Sequence, residues 1–315
     1  MNTYTVEEKS KPTLFFIGVT TSHSSIMRVF PKWAEVLGHP EWQIEGMDFE
    51  LHDEPEQYRG AVYQIKNDSL SLGALVTTHK IDLLEAAEDM FDYVGPYAEI
   101  TGEVSCISKD EGQLEGRAMD PITSGLSLDA VLGEQYFART GGHVFCIGMG
   151  GAGKAIALHL MNKSDPGDRP ERFVAVNRSP GRLEKTREMV DEVGTDIEFA
   201  YIQNEDPARN DEIMESLPSG SIVINATGMG KDRPGSPITD DGTFPKNGVA
   251  WELNYRGELD FLHQALAQEE IRNLTVEDGW LYFIHGWSQH IMEVFHIAID
   301  SETLKELSRV ASEVR

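Results

Sequence analysis

The stretch HVFCIGMGGAGKAIALHLMNKS, residues 143–164, decides the fold. Its first part, HVFCIG, is continuously apolar, as a short strand buried on both faces must be. The middle, MGGAGKA, sets Gly148, Gly150 and Gly153 in the spacing G-x-G-x-x-G, with Gly151 and Ala152 between them. The last part has helical character. Glycines at that spacing permit a tight turn, close approach of backbone to a pyrophosphate and close helix packing. The helix that follows presents free N–H groups to the anion. A purely structural glycine turn is the alternative, but a strand before the motif and a helix after it point to a dinucleotide.

The next strand downstream, RFVAVNRS (172–179), bears on which dinucleotide. In NAD-selective folds an acidic residue near the end of this strand bonds the ribose 2′-hydroxyl. Here the strand runs out as VNRSPGR, with Asn177, Arg178, Ser179 and Arg182 in its place. A carboxylate repels a 2′-phosphate, whereas guanidinium groups pair with it in a planar fork. NADP is favoured over NAD. IEFAYIQ, SIVINATGMG and GVAWELNY read as successive further strands, with RLEKTREMVDEVG and DEIMESL as helices between them. Ala226, Thr227 and Gly228, after a buried strand, form either the loop beneath a nicotinamide or a structural turn.

Upstream, TLFFIGVT, WQIEGMDFEL and GALVTT read as strands alternating with the helical IMRVFPKWAEVLG, YRGAVYQIKND and IDLLEAAEDMF. That alternation argues for a parallel sheet with crossover helices. EVSCISKDEGQLEGRAMD reads as a hairpin-like pair, and SGLSLDAVLGEQYFART as one helix bridging two domains. From DFLHQALAQEE onward the chain reads as helical. Aromatics in the last part, Trp280, Tyr282, Trp287 and Phe295, read as packing residues.

Lys+Arg number 27 against 53 Asp+Glu, a formal charge of −26 over 315 residues. Such a surface repels phosphate backbones and anionic headgroups, so neither nucleic acid nor a membrane is expected as partner. An anionic ligand must be held by donors arranged locally. No apolar run approaches a membrane span or a signal core, so a cytoplasmic protein is expected. Cys106 and Cys146 read as buried reduced thiols. His23, His79, His285, His290 and His296 show no metal-binding spacing, and no metal is expected.

Hydride transfer also moves a proton on the substrate oxygen and so needs a general acid/base. GALVTTHK (73–80) ends in Lys80, and GRAMDPITSG carries Asp120. Both are placed by the pattern at strand ends of the first sheet, where ligands bind in open α/β folds.

The order of these parts resembles the shikimate/quinate dehydrogenase family over almost the whole chain. GVTTSHSSIM stands for its HSxSP-like element, GALVTTHK for NVTxPxK, VSC (104–106) for VNT and AMD (118–120) for NTD. GMGGAGKA, NRSPGR, INATGMG and ELNY follow in the family's order. The resemblance makes Lys80 and Asp120 the catalytic pair. It implies substrate contacts from Ser24, Ser25, Thr77, Ser105 and Tyr255, with His285 and Gln289 as candidates for the C-terminal glutamine. Departures cluster on the substrate side: the second serine of the first element falls on Ile26, and the asparagine and proline of the second are missing. Loss of a carboxylate-binding hydroxyl costs about 1–3 kcal/mol if uncompensated. The same reaction on a related ring acid or cyclitol is therefore expected.

The expected architecture is two-domain α/β. Residues 1–122 plus 280–315 form an N-terminal α/β substrate domain, closed by C-terminal helices packing back on it. Residues 123–279 form a Rossmann-like doubly wound NADP domain. A small-molecule substrate and, at most, a second copy of the chain are the expected partners. A non-catalytic NADP-binding sensor of the same fold, or another two-domain NADP dehydrogenase, is the alternative function.

Overall fold

The computed structural model describes residues 4–231 and 233–314. The chain divides into two compact units, Met1–Met119 with Gly286–Arg315, and Asp120–His285.

The first unit is built on β1 (Thr13–Gly18), β2 (Gln43–Asp48), β3 (Ser71–Val76), β4 (Tyr93–Val94), β5 (Cys106–Asp110) and β6 (Gln113–Arg117), in the order β2-β1-β3-β5-β6-β4. Helices α1 (Ile26–Val36), α2 (Pro55–Asn67), α3 (Lys80–Ala87) and α4 (Pro96–Thr101) connect them. Alternation along β1 serves two faces. Phe15 and Ile17 join Val62 of α2, Leu83 of α3 and Val76 in one core. Phe16 meets Trp287 edge-on at 5.1 Å on the other. The sheet is mixed rather than parallel: β5 runs antiparallel to both β3 and β6. The cause is the two-residue turn between β5 and β6, where Glu111 (φ 47°) and Gly112 (φ 85°) both take positive φ. Such a turn closes a hairpin and nothing else.

The second unit carries β7 (Val144–Ile147), β8 (Arg172–Asn177), β9 (Glu198–Gln203), β10 (Ile222–Asn225), β11 (Val249–Glu252) and β12 (Thr275–Glu277). All pairings are parallel, in the order β12-β11-β10-β7-β8-β9. This is the doubly wound dinucleotide-binding order, with its switch point between β7 and β10. The helices are α5 (Asp120–Leu132), α6 (Tyr136–Thr140), α7 (Gly151–Met161), α8 (Pro180–Val193), α9 (Pro207–Glu215), α10 (Asp260–Leu266) and α11 (Glu269–Arg272). The stretch read as one bridging helix is two, α5 and α6. Gly133 (φ 68°) and Gln135 (φ 57°) break it, because left-handed residues cannot continue a right-handed helix.

The C-terminal region is likewise not wholly helical. β12 interrupts it, a three-residue strand whose partial burial gives too short a signal to read. Beyond it, α12 (Trp280–Phe295) and α13 (Ser301–Ser312) are separated at His296, whose φ is 53°. In the first unit, α13 is tied to α1 where Trp33 Nε1 donates to Leu307 O at 2.8 Å.

Among the described residues no helix is long and apolar enough to cross a membrane. Cys106 and Cys146 are free and buried, and burial pushes the Cys146 thiol up to about 12. Among the described residues no group of three or more metal-ligating side chains comes together.

Candidate functional site

In the second unit, the loops after β7 and β10 flank the switch point. Gly148 takes φ 105°, and a Cβ there would lie 2.5 Å from Ala226 O and 2.9 Å from Thr227 N. The first glycine is thus what lets the two loops touch. A Cβ on Gly153 would sit 2.2 Å from Gly148 O, so the third glycine closes α7 onto the turn. Gly150 has open space in front of it. The nearest atom to its missing Cβ is an Arg182 guanidinium nitrogen at 3.6 Å. Gly150 caps α7, with Gly151 and Ala152 in the first turn, so their free N–H groups end at this cradle.

Asn177 closes β8. Its Oδ1 accepts from Ser179 N at 3.5 Å, while its Nδ2 is buried without a hydrogen-bond partner. An orphaned buried donor beside exposed Arg178 and Arg182 suits a nucleotide ribose and its phosphate. The glycine cradle, the orphaned amide and the two guanidinium groups fit an NADP-type cofactor.

The loop after β10 is held by a polar network. Glu252, fully buried at the end of β11, accepts from Asn225 Nδ2 (2.6 Å), Asn254 N (2.8 Å) and Asn254 Nδ2 (2.6 Å). Asn225 Oδ1 in turn accepts from Thr227 N and Thr227 Oγ1. Burial raises the Glu252 carboxyl from 4.5 to about 7 against the pull of its donors. Tyr255 packs on Phe283 at 4.9 Å and Trp280 at 5.7 Å.

Lys80, in the first unit, and Asp120, the first residue of the second, do not end strands. Lys80 opens α3, after β3 has stopped at Val76, and Asp120 opens α5, after β6 has stopped at Arg117. The turn Thr77–His79 intervenes in the first case. A cation in a helix's first turn faces the positive end of the macrodipole, which disfavours the charge of Lys80 there. The loops after β1 and β3 share a sheet edge: Thr77 Oγ1 donates to Ile17 O at 3.1 Å, and a Cβ on Gly18 would lie 3.0 Å from Thr77 Oγ1. Ser24 and Ser25 lie in the loop after β1.

Ser105 ties the edge together. Its N–H donates to Arg117 O, and its carbonyl accepts from Val76 N (2.8 Å) and bonds His290 Nε2 (3.1 Å). Its Oγ accepts from Met119 N at 2.7 Å. Val104 N next to it donates to Lys80 O. β6 runs parallel to β3, both being antiparallel to β5, so the chain leaves the sheet at the Lys80 edge and continues as Ala118 and Met119, the last residue of this segment of the first unit. His285 is buried within α12; one turn on, Gln289 Nε2 reaches Met292 Sδ at 3.6 Å.

No family model matches the chain. A shikimate dehydrogenase (NADP(+)) of Methylobacterium radiotolerans is 24% identical over 275 residues, 87% of this chain and 88% of the relative. The shikimate 5-dehydrogenase of Thermus thermophilus, solved with NADP(H) and shikimate, superimposes with a TM-score of 0.68 at 23% identity, over 95% of this chain and 99% of that one. The quinate dehydrogenase of Corynebacterium glutamicum, solved with NAD, gives 0.74 at 17% identity, over 96% and 99%. The chain is thus similar in sequence to shikimate dehydrogenases and shares the fold of shikimate and quinate dehydrogenases.

Ile26 is fully buried in the core at the start of α1, so its side chain offers no donor to a carboxylate. Pattern reading passed over Glu252, Asn254 and the bonding role of Ser105. For Glu252 a signal existed: an acidic residue closing an otherwise apolar buried strand, VAWE, must be paired. For Ser105 the residue type told nothing of which neighbour its hydroxyl serves.

Proposed function

We propose that the chain is an NADP-dependent oxidoreductase interconverting a ring hydroxyl and a ketone on a shikimate- or quinate-like cyclic hydroxy acid or related cyclitol. The observation that carries the reading is the glycine cradle at the switch point, abutting Ala226–Thr227, with Arg178 and Arg182 at the end of β8. NADP, when bound, supplies or accepts the hydride. The second unit takes the cofactor through Gly148, Gly150, Gly151, Ala152, Gly153, Asn177, Arg178, Ser179, Arg182, Ala226, Thr227 and Gly228. Lys80 exchanges the proton with the substrate oxygen, and Asp120 orients its ammonium. Ser24, Ser25, Thr77, Tyr255, His285 and Gln289 are proposed to contact the ring. The buried Ile26 favours a substrate other than shikimate itself, since fold alone does not set the substrate.

The test is a panel of cyclic hydroxy acids and cyclitols screened for NADP+ reduction, followed by Lys80→Ala and Asp120→Asn on the best substrate. Each variant should lose about 10²–10⁴-fold in kcat with NADPH binding retained. Near-normal turnover in both would sink the acid/base assignment. NADPH binding without turnover on any panel member would sink the enzyme reading in favour of a sensor.

A further inference from the structure

We propose that Glu252 is a positioning residue whose negative charge sets the conformation of the Asn225–Met229 loop and thereby nucleotide affinity. This rests on the NADP reading above. Every polar hydrogen in the network has one destination. The two Asn225 Nδ2 hydrogens go to Glu252 Oε2 (2.6 Å) and Met229 O (3.4 Å). Those of Asn254 go to Glu252 Oε1 (2.6 Å) and Met229 O (3.2 Å). With its amino group so committed, Asn225 presents only its carbonyl to Thr227, accepting both N–H (3.1 Å) and Oγ–H (2.7 Å). Thr227 Oγ1 then accepts from Met229 N at 3.1 Å. Polarity therefore runs one way, from carboxylate to amide to threonine to the loop backbone. That loop is the one Gly148 touches at Ala226 and Thr227.

The ionised carboxylate accepts from all three donors with no hydrogen of its own to place. A protonated carboxyl adds a hydrogen that must be placed among these donors, and a glutamine replaces one acceptor by an amino group. Where that hydrogen points at Asn225, its amide flips and sets its amino group against the Thr227 N–H. The groups facing Glu252 are Asn225 from the end of β10, Asn254 after β11, and the carboxylate of Asp278 before α12, whose charge also raises its pKa. The folded pKa, about 7, lies above the 4.5 of the unfolded chain. Between these values the folded chain holds the extra proton, so stability falls as pH rises through the window. Ionising the carboxyl near neutral pH therefore runs against the interest of the fold.

The experiment is binding of NADH and NADPH to the full chain, followed by nicotinamide fluorescence between pH 6 and 8.5; NADH lacks the 2′-phosphate and its own titration. If only the ionised form holds the loop, wild-type affinity weakens about tenfold from pH 8 to pH 6. Glu252→Gln should bind at pH 8 as the wild type does at pH 6, with a flat profile. A variant that matches the wild type at every pH overturns the inference while leaving the NADP reading intact. A wild-type chain that binds neither nucleotide overturns the NADP reading and this inference with it. Should Glu252→Gln fail to fold, carboxyl 13C NMR of the wild type decides. A resonance titrating near pH 7 must move to lower pH when NADP+ saturates the chain, by reciprocity. An unmoved midpoint overturns the proposal.

Discussion

Arg182 offers the most direct reading of the cofactor site. Its guanidinium stands over the open face of Gly150, and α8 carries it from the end of β8. A charge-assisted pair with a 2′-phosphate is worth roughly 1.5–3 kcal/mol. Arg182→Ala should therefore weaken NADPH binding about tenfold or more and leave NADH binding unchanged, measured by fluorescence titration at pH 8. Equal weakening of both nucleotides would place the side chain on the pyrophosphate instead. These arginines were legible because a basic residue where an acidic one is usual carries its own chemistry. Ser105 shows the opposite case. Its position stood out, but not its bonding: the hydroxyl oxygen accepts from Met119 N at the sheet edge. A buried serine and a substrate-binding serine look alike in a pattern, since only the neighbours distinguish them.

The element most constrained by backbone geometry is the turn between β7 and α7. Gly148 and Gly150 share one motif but should behave differently. At Gly148 a side chain meets backbone atoms of Ala226 and Thr227 and an unfavourable φ of 105°. Neither can yield cheaply, so Gly148→Ala should cost about 1–3 kcal/mol of folding stability as well as nucleotide affinity. Gly150 has φ −84°, which alanine adopts freely. Gly150→Ala should unfold in urea at the wild-type midpoint yet bind nucleotide several-fold more weakly, because its methyl group faces the anion. A Gly150→Ala chain with undiminished affinity would move the pyrophosphate away from this turn. The parallel strands of the second unit were readable for the same physical reason that makes them a sheet: burial on both faces leaves continuous apolar runs. β4 and β12 were not, being two and three residues long and only partly buried. The α5–α6 break hid in residues of ordinary helical character, where only φ at Gly133 and Gln135 betrays it.

At the scale of the whole molecule the surplus of acid is the dominant fact. Lys+Arg at 27 can neutralise barely half of 53 Asp+Glu, and the ion pairs that form, such as Arg309 with Glu306 and Glu313, are largely exposed. Exposed pairs contribute little, so the net self-repulsion of a −26 chain is what salt acts on. Thermal stability should rise with NaCl, by about 2–4 °C for each kcal/mol of repulsion relieved in a unit of this size. The shape of the rise identifies its cause. Screening is effective once the Debye length falls to about 10 Å, near 0.1 M, so Tm should climb steeply at first and flatten by a few tenths molar. A rise that continues linearly to molar salt would instead report exclusion of salt from the protein surface. A Tm that falls with the first additions would mean that the pairs outweigh the repulsion. The same repulsion opposes an incoming NADPH. The donors at the glycine turn and the two arginines after β8 therefore work against the field of their own molecule. Raising salt from a low starting value should speed NADPH association in stopped-flow measurements, the reverse of what a cationic binding surface gives.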